Sequence, residues 1–161
     1  MRGFKSVSLA DQVFEKLEST FTELGVKIMR GSEVVIEKDG EAISLMGIDD
    51  PSFAEFPESI DELSSFDGFK ILLSHRPEYF DKYADWNVDL VLSGHAHGGQ
   101  FRLPFIGGLV APGQGLFPKY DAGSFTEDNT TMIVSRGIGG YLFPPRVNNR
   151  PEVIIIELKA S

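Results

Sequence analysis

The fold is decided by residues 69–97, which read FKILLSHRPEYFDKYADWNVDLVLSGHAH. This stretch contains two short apolar runs, at residues 69–73 and 88–93, separated by a segment at residues 77–83 that we interpret as a helix. Neither run alternates apolar with polar residues, a pattern that is typical of parallel strands covered on both faces. The sequence therefore predicts a βαβ unit and, with it, an α/β fold.

The segments outside this unit predict one helix and further strands of the same sheet. Residues 9–24 carry apolar side chains at helical spacing, which predicts one buried stripe made of Val13, Leu17, Phe21 and Leu24. Strands are predicted at residues 26–29, 33–38, 42–46, 131–135 and 153–158, and a short acidic helix near residues 59–65. Residues 94–123 are rich in glycine and proline and predict a long loop region, which usually serves a site.

The composition is typical of one globular domain. The chain has 161 residues, of which 42% are hydrophobic and 24% charged. Its formal charge of -9 would repel nucleic-acid phosphates, so we expect no nucleic-acid binding. The absence of cysteine excludes disulfides and thiolate zinc sites. No run approaches the ~20 apolar residues of a membrane span, so we expect a soluble chain without a membrane segment.

All three histidines of the chain follow the two strands of the predicted βαβ unit. His75 comes after the first strand, and His95 and His97 come after the second, with glycines around them. Because parallel strands end at the same edge of a sheet, we expect the three imidazoles to converge there. Imidazole is a good ligand for zinc, iron, manganese or cobalt, so the pattern predicts a metal site. A mononuclear zinc hydrolase is one interpretation that the trio alone allows.

Four further residues are candidates for the substrate side of this site. Asp49 and Asp50 follow the strand at residues 42–46 and reach the same edge if that strand is parallel to the others. Arg102 and Arg136 adjoin glycine-rich loops, and a guanidinium group there could bind a phosphate or carboxylate of a substrate. Asp49 or Asp50 would also be the source of a general base in the mononuclear alternative.

The wording of the motifs adds a family resemblance. Residues 73–78, LSHRPE, and residues 92–100, LSGHAHGGQ, resemble the C-terminal motifs of the calcineurin-like metallophosphoesterases. The similarity is greatest to a bacterial branch in which G-H-x-H-G-G-Q leads into R-L-P, here residues 102–104. Residues 47–50 (GIDD), residues 135–139 (SRGIG) and Arg146 before Pro151 match in the same order.

The resemblance implies a fold, a reaction and metal ligands. It implies a four-layer α-β-β-α sandwich and two divalent transition metal ions, with Mn, Fe or Zn expected. It also implies hydrolysis of a phosphomonoester or phosphodiester by a metal-bound hydroxide. By motif match, His75 and His95 would bind the second metal and His97 the first. The expected substrate is a small-molecule or lipid phosphoester.

The upstream motifs of that family, D-x-H, G-D-x-x-D and G-N-H-D or G-N-H-E, do not occur in this sequence. We therefore interpret residues 1–161 as a single partial domain, the C-terminal half of the sandwich, whose partner would be the missing N-terminal half. The catalytic residue stays unknown, and the chain alone is expected to hold one metal ion at most. The alternative is a catalytically incomplete half-domain that acts as a metal-binding or interaction module. Relatives in this branch are often membrane-associated or exported through an N-terminal segment, so the location stays open.

Overall fold

A six-stranded mixed sheet organises this computed structural model, which describes residues 9–139 and 146–159. The helices are α1 (Leu9–Glu23) and α2 (Phe80–Asp85), short 3-10 turns cover Ile60–Glu62 and Pro77–Tyr79, and His97–Gly99 form a turn of non-helical backbone conformation. The strands are β1 (Ser32–Lys38), β2 (Glu41–Gly47), β3 (Phe69–Leu73), β4 (Leu90–Ser93), β5 (Arg102–Leu103), β6 (Gly107–Gly108), β7 (Val110–Ala111), β8 (Gly115–Leu116), β9 (Gly123–Glu127) and β10 (Thr130–Val134). The main sheet has the order β1-β2-β3-β4-β10-β9, and the loop strands form two small ribbons, β5-β6 and β7-β8.

The predicted βαβ unit is confirmed. Strands β3 and β4 are adjacent and parallel, with Leu72 opposite Val91. The 3-10 turn and α2 make the crossover between them, with Pro77 at the first position of the turn, where a missing N–H costs nothing. Strand β2 is parallel to β3, which also confirms the condition under which the residues after β2 reach the same edge as His75. The chain is thus an α/β fold with a mixed central sheet.

One face of the sheet carries the core. Met46, Leu72, Val91 and Met132 stand side by side on paired strands and are fully buried. The rings that pack over them are Phe80, Tyr83 and Trp86, with Phe56 against the cluster. On the opposite face Ile71 and Leu90 are buried, whereas Leu45, Leu73, Leu92 and Ile133 are only half-buried. The sheet therefore has one complete layer against it within the described part of the chain.

Helix α1 begins at the predicted residue and ends one residue before the predicted end, but its apolar stripe is not buried. Val13, Leu17, Phe21 and Leu24 are between 46% and 74% exposed. Periodicity identifies the face that a helix can bury, and it does not say which element covers that face. Neither α1 nor any other helix among the described residues is long and apolar enough to span a bilayer.

Two predicted strands are wrong, and one strand of the main sheet was missed, as were the four two-residue strands β5 to β8 in the predicted loop region. Residues 26–29 and 153–158 form no strand, and Val153 and Ile155 are 79% and 92% exposed. Both segments have β-branched residues, but a strand also needs a partner edge for its backbone hydrogen bonds. Strand β9 pairs antiparallel with β10 through a tight turn at Asp128, whose positive φ of 49° suits an aspartate.

Candidate metal centre

Two of the three histidines meet at the carboxyl edge of the sheet. The Nε2 atom of His75 lies 2.7 Å from Nδ1 of His95, and the ring centroids are 4.4 Å apart. Each ring follows its strand within two residues, and the backbone N–H of Ser74 donates to the carbonyl of Leu92 at 3.1 Å, which aligns the two strand ends. The parallel pairing of β3 and β4 therefore brings these side chains together, as their positions in the sequence predict.

A buried tyrosine holds the loop that carries His75. The hydroxyl of Tyr83 donates to the carbonyl of Arg76 at 2.8 Å and lies 2.6 Å from the hydroxyl of Ser74. Tyr83 is fully buried, and burial raises the pKa of its phenol well above the ordinary value, so it stays a neutral donor. One side chain thus fixes the residues on both sides of His75. Sequence reasoning missed this role because the apolar spacing of the crossover helix explains a tyrosine there equally well.

The arginine next to His75 binds the acidic loop after β2. The Nε of Arg76 donates to Asp50 at 2.9 Å and its terminal nitrogens donate to Asp50 at 3.1 Å and to Glu78 at 3.2 Å. Hydrogen bonds from Arg76 hold the pKa of Asp50 well below its usual range, and Asp50 in turn raises the pKa of Arg76. Asp50 thus lies at the predicted edge with its carboxylate occupied by Arg76, while Asp49 is exposed.

His97 lies in a turn of unusual backbone conformation. Residues 97–100 all have positive φ, at 49°, 67°, 72° and 54°, which is the left-handed region that side chains other than glycine rarely adopt. The amide of Asn149 donates to the carbonyls of His97 and Gln100, at 2.7 and 3.2 Å. The glycine pair at residues 98–99 predicts a turn, but nothing in the sequence predicts its hydrogen bonds with Asn149.

The two predicted substrate arginines each bind a carboxylate of this chain. Arg102 donates to Asp121 at 2.8 Å and to the carbonyl of Gly98 at 2.9 Å. Arg136 pairs with Glu152 at 2.6 Å, which lowers the pKa of Glu152 and raises that of Arg136. Both arginines therefore have a structural contact, and their role in substrate binding stays a prediction.

The electrostatics of the histidines suit metal coordination. Burial, with a smaller contribution from the charge of His75, lowers the pKa of His95, and burial with the charge of Arg146 lowers that of His97. Both rings are therefore neutral at pH 7, which is the form that binds metal ions. The Nε2 of His95 is buried and has no hydrogen-bond partner among the described residues, so a donor atom is left over there.

These residues fit part of a metal centre. Within residues 9–139 and 146–159, no three His, Cys, Asp or Glu side chains gather closely enough to hold an ion. The imidazoles of His75 and His95 offer two nitrogen donors side by side, and a closed tetrahedral coordination shell needs four donors. The arrangement can contribute to a site that is completed from elsewhere.

The fold with its paired imidazoles belongs to the α/β class, and the relatives of this chain give the family. The metallophosphoesterase YkuE of Bacillus subtilis is 34% identical over 147 residues, 89% of this chain and 50% of the relative. The phosphodiesterase YaeI of Escherichia coli is 37% identical over 55% of the chain and 32% of the relative. The UDP-2,3-diacylglucosamine pyrophosphatase LpxG of Chlamydia trachomatis is 30% identical over 63% of the chain and 33% of the relative.

The chain belongs to the calcineurin-like metallophosphoesterase family. The chain spans about half the length of YkuE, although the match covers 89% of the chain. Membership in this family implies divalent metal ions. No family model and no solved structure matches the sequence.

Proposed function

We propose that this chain supplies the C-terminal metal ligands of a metal-dependent phosphoesterase, with His75, His95 and His97 as the ligands. The observation that carries the proposal is the 2.7 Å contact between ring nitrogens of His75 and His95 at the carboxyl edge of two parallel strands. When bound, the metal ions polarise the phosphoryl group of a phosphomonoester or phosphodiester. His75 and His95 hold one ion together, and His97 reaches a second one.

The substrate binds at the same edge in this proposal. Each guanidinium group has five N–H donors, and the ion pairs of Arg102 and Arg136 use only some of them. The remaining donors are available for a phosphate, with Asp49 and Asp50 bordering the site. The name of the chlamydial relative, a UDP-2,3-diacylglucosamine pyrophosphatase, supports a lipid-linked phosphoester as one substrate class.

The architecture that we propose is a four-layer α-β-β-α sandwich, of which residues 1–161 are a partial domain. The half-buried sheet face around Leu45, Leu73 and Leu92 and the exposed stripe of α1 supply apolar surface for the missing layers. An exposed apolar surface of this kind favours association with another part of the fold. The N-terminal half would add the carboxylate and histidine ligands that the described residues lack.

The test is reconstitution with the first half of YkuE, expressed as a separate chain. With Mn²⁺ we expect the mixture to hydrolyse bis(p-nitrophenyl) phosphate, and His95→Ala in this chain to reduce the rate by at least ~100-fold. Asp85→Ala, a change at the end of α2 at an exposed position, is the control and should leave the rate unchanged. Equal rates for His95→Ala and Asp85→Ala would overturn the proposal.

A second function is supported by the incomplete ligand set. Because no group of three ligands exists among the described residues, the chain alone could act as a metal-binding or interaction module without turnover. Equilibrium dialysis of the isolated chain against Mn²⁺ or Zn²⁺, together with an activity assay, distinguishes this function from that of a phosphoesterase. We expect at most one weakly held ion per chain and little turnover, and two tightly held ions with high activity would contradict this.

A further inference from the structure

The turn at residues 97–100 is held open in a left-handed conformation by contacts to each of its carbonyl groups. The carbonyls of His97 and Gln100 accept from Asn149, and that of Gly98 accepts from Arg102 at 2.9 Å. The carbonyl of Gly99 accepts from the backbone N–H groups of residues 101 and 109, at 2.6 and 3.1 Å. A run of left-handed residues is unfavourable and persists only when the surrounding structure stabilises it, so these hydrogen bonds have to offset the cost of the backbone conformation.

Asn149 makes the most specific of these contacts. It is 2% exposed, and its two amide hydrogens serve two carbonyls that are three residues apart. Since both partners are acceptors, only the amide nitrogen can face them, which fixes the orientation of the side chain. A Cβ added at Gly98 would lie 2.4 Å from Oδ1 of Asn149, so the amide packs directly on the turn.

The position of Asn149 is itself fixed from two directions. Phe101 forms a parallel bridge with Val147, and the N–H of Arg102 donates to the carbonyl of Val147 at 3.0 Å. These bonds tie the segment before Asn149 to the strand that leaves the turn. Backbone hydrogen bonds therefore hold Asn149 next to the turn before its side chain makes any contact.

We infer that Asn149 is a positioning residue for His97: its amide fixes the left-handed turn that presents this imidazole at the carboxyl edge of the sheet. The metal-binding part of this role rests on the proposed function, in which His97 is a ligand. The part that concerns the turn does not, because it depends only on hydrogen bonds within the chain. Neither role for Asn149 follows from the histidine motif itself.

The test compares Asn149→Asp with Asn148→Asp in the full chain. Both replace an amide by a carboxylate, but Asn148 is the exposed neighbour and its positive φ of 52° is one that aspartate tolerates. The side chain of Asn149→Asp has no proton to donate when ionised and only one when burial keeps it protonated, so it cannot donate to both carbonyls. We expect amide hydrogen exchange at Gly99 and Leu109 to become at least ~10-fold faster, because losing a hydrogen bond from Asn149 to the turn changes the equilibrium between its closed and open states by about tenfold.

The amide of Ser74, which donates to Leu92 across the sheet, is the internal reference and should exchange at the wild-type rate. Asn149→Ser carries no charge and keeps one donor, so it should show intermediate exchange, and it decides the question if the aspartate variant does not fold. Exchange at Gly99 and Leu109 that is the same in the Asn149 variants as in Asn148→Asp would overturn the inference.

The consequence for the metal at His97 is tested by a Co²⁺ titration, followed by visible absorption, of this chain reconstituted with the first half of YkuE, where both proposed metal sites are complete. We expect Asn149→Asp and Asn149→Ser to weaken Co²⁺ binding by about 10- to 100-fold, as for other residues that orient a ligand, and Asn148→Asp to bind like the wild type. Wild-type affinity in the Asn149 variants would overturn the positioning role. A wild-type chain that binds no Co²⁺ would count against the proposed function, while the exchange data would still decide the role of Asn149 in the turn.

Discussion

The ion pair between Asp50 and Arg76 gives a prediction whose size follows from its geometry. Asp50→Asn keeps the shape of the side chain but removes the charge from a two-point contact with nitrogen-oxygen distances of 2.9 and 3.1 Å. Breaking a fully buried pair costs about 3 to 5 kcal/mol because a charge is left without a partner. Here Arg76 keeps Glu78 at 3.2 Å, and the side chains of Asp50 and Arg76 are each 18% exposed.

The cost should therefore be lower, near that of a charge-assisted hydrogen bond, at about 2 kcal/mol. For a chain of this length it corresponds to a fall of about 4 to 8 °C in the melting temperature at pH 7. Circular dichroism during heating measures it. Asp49→Asn is the control, since Asp49 is the exposed neighbour, and it should change the melting temperature by less than ~2 °C.

The dependence on pH provides the second arm of the same test. The hydrogen bonds from Arg76 hold the pKa of Asp50 below its ordinary value, so the folded state releases this proton more readily than the unfolded state. The pair then stabilises the fold above the unfolded carboxyl pKa of about 3.9 and loses that contribution as the pH falls further. The difference between wild type and Asp50→Asn should shrink below about pH 4. Equal melting temperatures for Asp50→Asn and Asp49→Asn at pH 7 would refute the reasoning.

Two further substitutions test residues next to the histidines. Gly98→Ala should lower the free energy of unfolding, measured with urea, by about 1 to 3 kcal/mol, because its Cβ would lie 2.4 Å from Asn149 and its φ is 67°. Gly94→Ala is the control, since its Cβ would have no atom within 4 Å, and equal free energies of unfolding for the two variants would contradict this. Tyr83→Phe should cost about 1 to 2 kcal/mol in the same assay, because it leaves the buried hydroxyl of Ser74 without its 2.6 Å partner, and an unchanged unfolding midpoint would show that the hydroxyl pair contributes nothing.

The part of the fold that the sequence predicts best is the part in which neighbours in sequence become neighbours in space. Strand β3 has the predicted bounds, and β4 lies beside it, because the crossover helix between them is short and parallel strands joined in this way pair directly. The strand predicted at residues 153–158 fails because the same β-branched composition needs an open edge at the right place, and composition does not specify one.

The candidate site also has one part that the sequence predicts and one part that it does not. His75 and His95 follow paired strands, so their positions along the chain already place them at one edge, and the 2.7 Å contact between their rings is a consequence of that pairing. His97 depends on a turn whose conformation is costly for its own residues and is supplied by Asn149. No pattern within residues 92–100 identifies a partner that far along the chain, because the interaction is specified by tertiary packing and not by local preference.

The two parts of the site should respond differently to amino-acid substitution. The positions of His75 and His95 are set by backbone hydrogen bonds between the parallel strands β3 and β4, which do not depend on any one side chain, so a single substitution on the sheet should change the distance between the two rings little. The geometry of His97 depends on one buried amide and on one arginine bound to the carbonyl of Gly98. Substitutions at Asn149 or Arg102 should therefore affect the ligand from the turn while the strand-end pair stays in place, and chemical shifts of the three imidazoles would show them separately.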